Sequence, residues 1–360
     1  MSGVIDAVSS SSVVLCCGTG GVGKTTTSAA LAVAAAQAGR RAVVVTIDPA
    51  RRLADALGLD GIGNDCARVE IADLAADGEL WVTMLDTKAT FDALIERHAH
   101  SPEQAERILT NRYYRNLSTS LSGTREFMAM ERLYELHHDD RFDLVIVDTP
   151  PTRNALDFLE APDRLGRFLD GRLFRLAAPG RRMTRRLTAP IIVLMRRIAR
   201  VISPEVVDDT LAFIEAFGGM EDGFRERAKA VDALLADDTT SFVLVAAPLG
   251  EAVDESCYFA EQLRASDLSV GAVVVNRLQP RFTEAGVDEI TEAAAAAAGT
   301  TAAAQLTLLA DLVTLADAEE VQLAPLLDLC ADAPVARIPQ LDNDVHDLAG
   351  IQEVAIRIAD

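Results

Sequence analysis

Lysine, cysteine and long apolar runs are all scarce in this 360-residue sequence, and each shortage excludes something. Three lysines stand against 31 arginines, so each lysine merits inspection. The five cysteines (Cys16, Cys17, Cys66, Cys257 and Cys330) include no C-x-x-C pair. That disfavours both a disulfide framework and a structural zinc site, and points to the cytoplasm. No window holds 18 uninterrupted apolar residues, so no segment is expected to span a bilayer. Residues 1–12 lack a basic cluster followed by an apolar stretch and do not read as a secretory signal. Basic charge is short as well: 34 Lys and Arg against 55 Asp and Glu leave a net charge of −21. Nucleic acid and anionic lipid would repel such a molecule as a whole, although a local basic patch could override that.

What is present is a large apolar fraction, 49% of the residues. The length suits two domains or one large α/β domain with an inserted subdomain. Short β-branched runs recur at 13–17, 41–47, 80–85, 143–147, 241–246, 270–275 and 334–338. Continuous apolar runs of this kind suit strands buried on both faces of a parallel sheet. The clearest helix between them is 25–38, Ala-rich and stopped by Gly39. Strands alternating with helices predict an α/β fold with a doubly wound, mostly parallel sheet. Two segments break the alternation, about 89–138 and about 161–236, and read as a helical subdomain carried by a single nucleotide-binding domain. Within the second, residues 164–200 hold eleven Arg against one Asp. Ile191, Leu194, Met195, Ile198 and Ile202 there follow helical spacing. That block reads either as a surface for a partner or anionic lipid, or as an ordinary helix whose arginines pair with nearby acids. The run 292–304 is of low complexity and reads as a weak helix followed by a mobile connection.

Chemistry is carried by Gly18-Thr19-Gly20-Gly21-Val22-Gly23-Lys24-Thr25-Thr26, which follows the first strand and opens the first long helix. It matches G-x-x-x-x-G-K-[ST], the phosphate-binding loop, in the context that loop requires. Glycines let successive N–H groups turn inward around a polyphosphate, and the helix N-terminus adds unpaired donors. Gly20, Gly21, Val22, Gly23, Lys24, Thr25 and Thr26 are therefore the candidate nucleotide-binding residues. Lys24 would reach the β- and γ-phosphates, and the Thr25 hydroxyl would ligate Mg²⁺. Hydrolysis also needs an oriented water and a second hold on the metal. Asp48 and Asp148, each ending a predicted strand, stand where the rim of a parallel sheet would bring them to the loop.

Taken together, the loop, Asp48-Pro49-Ala50, Asp148-Thr149-Pro150-Pro151-Thr152, the 125–131 segment (REFMAME) and Val275-Asn276-Arg277 resemble the ArsA-type ATPases. These are dimeric P-loop NTPases of the deviant Walker A class, and in detail the sequence is most like actinobacterial "anion-transporting ATPase" members. The resemblance runs, with gaps, over nearly the whole chain. It implies ATP and Mg²⁺ as ligands and a nucleotide-driven dimeric switch. Asp48 would orient or deprotonate the attacking water beside Lys24, and Asp148 would hold the metal shell. Asn276 would read adenine, with Pro339 in a second adenine-lining loop. The expected partners are a second copy or a paralogous ATPase, and a protein or membrane-associated cargo on the helical subdomain, with no nucleic acid. The expected location is the cytoplasm, or the periphery of a membrane.

Three departures qualify the resemblance. Thr19 occupies the position of the signature lysine that acts across the dimer, where a trans charge accounts for factors of about 10³ to 10⁵. A homodimer would then be slow unless Arg51 or Arg52 substitutes, and the alternative is an ATP-binding regulatory subunit completed by a lysine-bearing paralogue. Seven Met and the missing C-x-x-C weigh against a Met-rich cargo groove and a zinc-clasped dimer. Finally, Arg153-Asn154 stands where the family usually has Gly-His.

Overall fold

The computed structural model describes residues 3–47, 52–59, 61–71, 74–112, 114–115, 124–151, 212–213, 216–217 and 220–359. Asp48, Pro49, Ala50, Arg51, Thr152, Arg153, Asn154 and the arginine block 164–200 lie outside them. The chain divides into two compact units, residues 1–84, 136–156 and 236–360 in one, and 85–135 and 157–235 in the other.

The first unit is built on one sheet. Its strands are β1 (Val13–Cys17), β2 (Arg41–Thr46), β3 (Ala67–Val69), β4 (Glu79–Met84), β5 (Leu144–Asp148), β6 (Thr240–Ala246), β7 (Val270–Leu278) and β8 (Val335–Pro339). They lie in the order β3-β4-β2-β5-β1-β6-β7-β8. Every neighbouring pair is parallel except β3 with β4. All five residues of β1 and of β5 are buried, the signature of central strands covered on both faces. The seven predicted runs are all strands. The eighth, β3, has no counterpart in the sequence reading, because three residues with one buried position carry no detectable period.

Helix α1 (Gly3–Ser10) and helix α2 (Lys24–Gln37) pack on this sheet. Ten of the fourteen residues of α2 are buried, half of them alanines, so the helix is covered on nearly every side. Its small side chains let it lie close to the strands, while α11 (Leu348–Ala359) covers it with Ile351, Val354 and Ile358. Arg40 fastens α1 to the sheet. Its guanidinium donates to the carbonyls of Val8 (3.2 Å), Ser9 (3.0 Å) and Ser11 (2.7 Å), and to that of Asp143.

Helices α8 (Gly250–Ala265), α9 (Val287–Ala296) and α10 (Thr301–Leu329) complete the unit, with the short α3 (Arg52–Ala56). The low-complexity run is helical up to Ala296 and, after a short connection, passes into a second helix. Only four residues separate α9 from α10, and the Thr300 side chain caps the new helix by accepting from the Ala303 N–H at 3.4 Å. Alanine favours helix strongly enough that a single cap and the turn at Gly299 (φ 86°) suffice to restart it.

The second unit is helical in its described elements: α4 (Thr87–His98), α5 (Pro102–Leu109), α6 (Thr124–His137) and α7 (Glu221–Leu235). Its core differs chemically from that of the sheet, gathering Phe91, Tyr114, Phe127, Phe213, Phe217 and Phe224. Tyr114 lies tilted against Phe91, with ring centroids 5.3 Å apart, and donates its hydroxyl to Asp92 at 2.6 Å, so the phenol is buried with its polar end satisfied.

Glu131 on α6 is wholly buried between Arg97 (2.8 Å) and Arg227 (3.0 Å). Burial outweighs the two arginines and lifts its carboxyl from 4.5 to about 6. A carboxyl raised in this way contributes most to stability below its unfolded value and loses that contribution as the pH rises through 6. Urea unfolding of wild type and Glu131→Gln between pH 5 and 7.5 should therefore show the wild-type advantage shrinking with pH, by about 1–2 kcal/mol. A pH-independent difference would contradict the assignment.

Candidate functional site

The candidate site begins where β1 stops. At Gly18 a Cβ would lie 2.2 Å from the Val245 carbonyl of β6, so only glycine lets the chain leave the sheet there. Gly23, with φ 98°, is the residue that turns the loop into α2, and a Cβ on it would lie 2.3 Å from Asn276 Nδ2. With glycine at the cap, the first N–H groups of α2 are not covered by a capping side chain. That leaves them directed at whatever occupies the loop. Lys24 is only 8% exposed, and its Nζ donates to the Thr19 carbonyl at 2.7 Å. Thr19 itself is buried.

Asp148, the last residue of β5, stands level with Cys16 of β1 and Thr46 of β2. It is 2% exposed, and its Oδ2 accepts hydrogen bonds from Thr25 Oγ1 at 2.8 Å and Thr46 Oγ1 at 3.0 Å. A carboxylate so deeply placed is tolerable because hydroxyls are aimed at it. The next residue, Thr149, donates its hydroxyl to the Cys16 carbonyl at 2.7 Å. The ends of three strands and the start of α2 thus meet at one carboxylate. Cys16 and Cys17 take no part as nucleophiles, since burial raises both thiols, that of Cys17 to about 12.

Asn276 is in place beside the loop from the other side. Its Nδ2 donates to the Val22 carbonyl at 2.9 Å, and its Oδ1 accepts from the Arg277 N–H at 2.9 Å. One amide hydrogen and one lone pair remain for a ligand.

Two adjoining cavities follow the loop. One, of about 380 Å³, is lined by Gly20, Gly21, Lys24, Thr25, Asp148 and others. The second, of about 330 Å³, is lined by Asn276, Pro339, Gln340, Leu341 and neighbours. Gly23, Thr26, Arg277 and Val345 belong to both. Except for Asp48, which lies outside the described residues, and Val22, which contributes its carbonyl from a buried position, every candidate residue borders one of these cavities. Asp55, Ala56, Val345 and His346 also line the first, and nothing in the sequence had singled them out. Arg277 could have been found from its place directly after Asn276.

A phosphate-binding loop between the first strand and helix of a doubly wound sheet, with an aspartate on the neighbouring strand end, defines a P-loop nucleotide-binding protein. Residues 11–295 match the family model described as Anion-transporting ATPase, and the chain belongs to that family. It is similar to ATPase GET3 of Kluyveromyces lactis, at 25% identity over 249 residues, 66% of this chain and 63% of that protein. It is also similar to ATPase GET3C of Arabidopsis thaliana, at 25% identity over 169 residues, 46% of this chain and 39% of the relative. The chain spans less than two thirds of the length of either. Among the described residues, no helix is long and apolar enough to cross a membrane.

Proposed function

We propose that this chain is a Mg²⁺-dependent ATP hydrolase that works as a nucleotide-driven dimeric switch and couples ATP turnover to a partner or cargo. The observation that carries the reading is the buried Asp148 carboxylate bonded to the hydroxyl of Thr25, the residue after the loop lysine. Hydroxyl and carboxylate oxygens are hard donors of the kind Mg²⁺ takes, alongside phosphate oxygens and water. Thr25 and Asp148 would hold the ion, which supplies charge neutralisation at the β- and γ-phosphates.

The remaining work falls to the chain itself. Gly20, Gly21, Val22 and Gly23 present backbone N–H groups to the polyphosphate, and Thr26 adds the first turn of α2. Lys24 exchanges its bond to the Thr19 carbonyl for the phosphate oxygens. Asp48 follows Ile47, whose N–H donates to the Asp148 carbonyl at 3.3 Å. Asp48 orients the water for in-line attack and takes its proton. Asn276 and Pro339 receive the adenine.

A second reading rests on Thr19, which is buried and carries no charge. In it the chain binds ATP but scarcely hydrolyses it, and a lysine-bearing paralogue completes the site in a heterodimer. Measuring Mg·ATP turnover by the purified chain at several protein concentrations, beside Asp48→Asn, separates the two. Turnover that rises more than linearly with concentration and vanishes in the variant supports a self-sufficient homodimer. Tight ATP binding without turnover supports the regulatory subunit, and absence of both refutes the proposal.

A further inference from the structure

Arg277 combines three features that the catalytic scheme above does not use. It adopts φ 63°, and Asp267 is the other non-glycine residue with positive φ among the described residues. Left-handed backbone is disfavoured for a long side chain, so its retention at a cavity wall points to a use for that side chain. The conformation has a local cause. The Arg277 N–H is held by the Asn276 side chain at 2.9 Å, and the register of β7 with β8 slips between Val275 and Leu278 at this point.

The second feature is position. Arg277 borders both cavities, together with Gly23, Thr26 and Val345. The first cavity holds the loop residues and Asp148, and the second holds Asn276 and the Pro339 loop. A nucleotide with its terminal phosphates in one and its base in the other places its α-phosphate at the junction. The third feature is charge. Arg277 is exposed and makes no ion pair with the described residues, whereas Arg281 and Arg337 nearby are paired with Asp317 and Glu320. The acidic lining residues Asp55, Asp148 and Asp344 leave it unclaimed.

We infer that Arg277 is a positioning residue that grips the α-phosphate of the bound nucleotide and so sets the site's affinity for nucleoside di- and triphosphates alike. The inference rests on the proposed nucleotide site and sharpens it. A guanidinium offers paired donors that match two phosphate oxygens, and its grip does not depend on the γ-phosphate. It therefore acts on binding of substrate and product equally, without favouring the hydrolytic step.

Titration calorimetry with ATP and ADP, and ligand-observed NMR with adenosine, test this on the full chain. Arg277→Gly accepts the backbone geometry and removes only the side chain, and Arg277→Lys keeps a charge without the fork. In Arg277→Gly, ATP and ADP should both weaken by the same factor, about tenfold or more, with adenosine unchanged. Arg277→Lys should recover part of that loss. Weakening confined to ATP would move the contact to the γ-phosphate, and equal weakening of adenosine would move it to the sugar or base; either overturns the inference. So does unchanged binding of all three in a chain whose wild type binds ADP tightly. A wild type that binds neither ATP nor ADP would overturn the proposed site as well.

Discussion

Lys24→Ala is expected to remove tight ATP binding, so that calorimetric heats fall to baseline at concentrations that saturate the wild type. The side chain is one of three lysines in the molecule and is almost wholly buried, with a bond to the Thr19 carbonyl. Exchanging this carbonyl for a polyphosphate is favourable, because each phosphate oxygen offers a charged acceptor in place of a neutral one. Losing a buried charge contact of that sort costs about 2–5 kcal/mol, a factor of roughly 30 to several thousand in affinity. The fold should survive, since Lys24 itself borders the cavity and its truncation opens a path for water to the carbonyl left behind. Unchanged binding with an intact circular dichroism spectrum would sink the phosphate-loop assignment.

Asp148→Asn should cut Mg·ATP turnover by about 100-fold or more while sparing most of the ATP affinity measured without metal. Both Thr25 and Thr46 donate to the one oxygen Oδ2, so an amide oxygen can keep those bonds while the negative charge that would draw the metal is lost. Asp148→Ala goes further, stranding two hydroxyls, and should lower unfolding stability by about 2–4 kcal/mol. Titrating Mg²⁺ at fixed ATP gives the decisive reading. The asparagine variant should need at least several-fold more metal, and an identical Mg²⁺ dependence would remove Asp148 from the metal's surroundings.

The sheet was legible because its strands are continuous β-branched runs, a pattern that burial on both faces imposes. Runs such as 143–147 and 241–246 announced themselves without alternation. β3 was not legible, because a three-residue antiparallel edge leaves no periodic trace. The restart of helix at Thr301 was hidden by composition: alanine repeats look featureless, yet the strong helix preference of alanine is what drives α10. At the site, local spacing revealed the loop from Gly18 to Thr26, since all of its chemistry lies within nine residues. Asp148 required the further step that parallel strands share one rim. His346 and Val345 were beyond reach, because nothing local in residues 342–347 records that this stretch lies against a loop more than 300 positions earlier. Family resemblance supplied Asn276 and Pro339 in advance, but not that half of the Asn276 amide is occupied by the protein itself.

The bond from the Thr149 hydroxyl to the Cys16 carbonyl has a mechanical meaning. It clamps the chain to the central strand one residue before two consecutive prolines, Pro150 and Pro151. Proline fixes one backbone angle and restricts the residue ahead of it, so the stretch leaving the clamp behaves as a short rod on a pivot. A stiff exit of this kind is suited to carry a displacement outward, where a pliable loop would absorb it. Thr149→Val should free that pivot while leaving the residues around the phosphate loop in place.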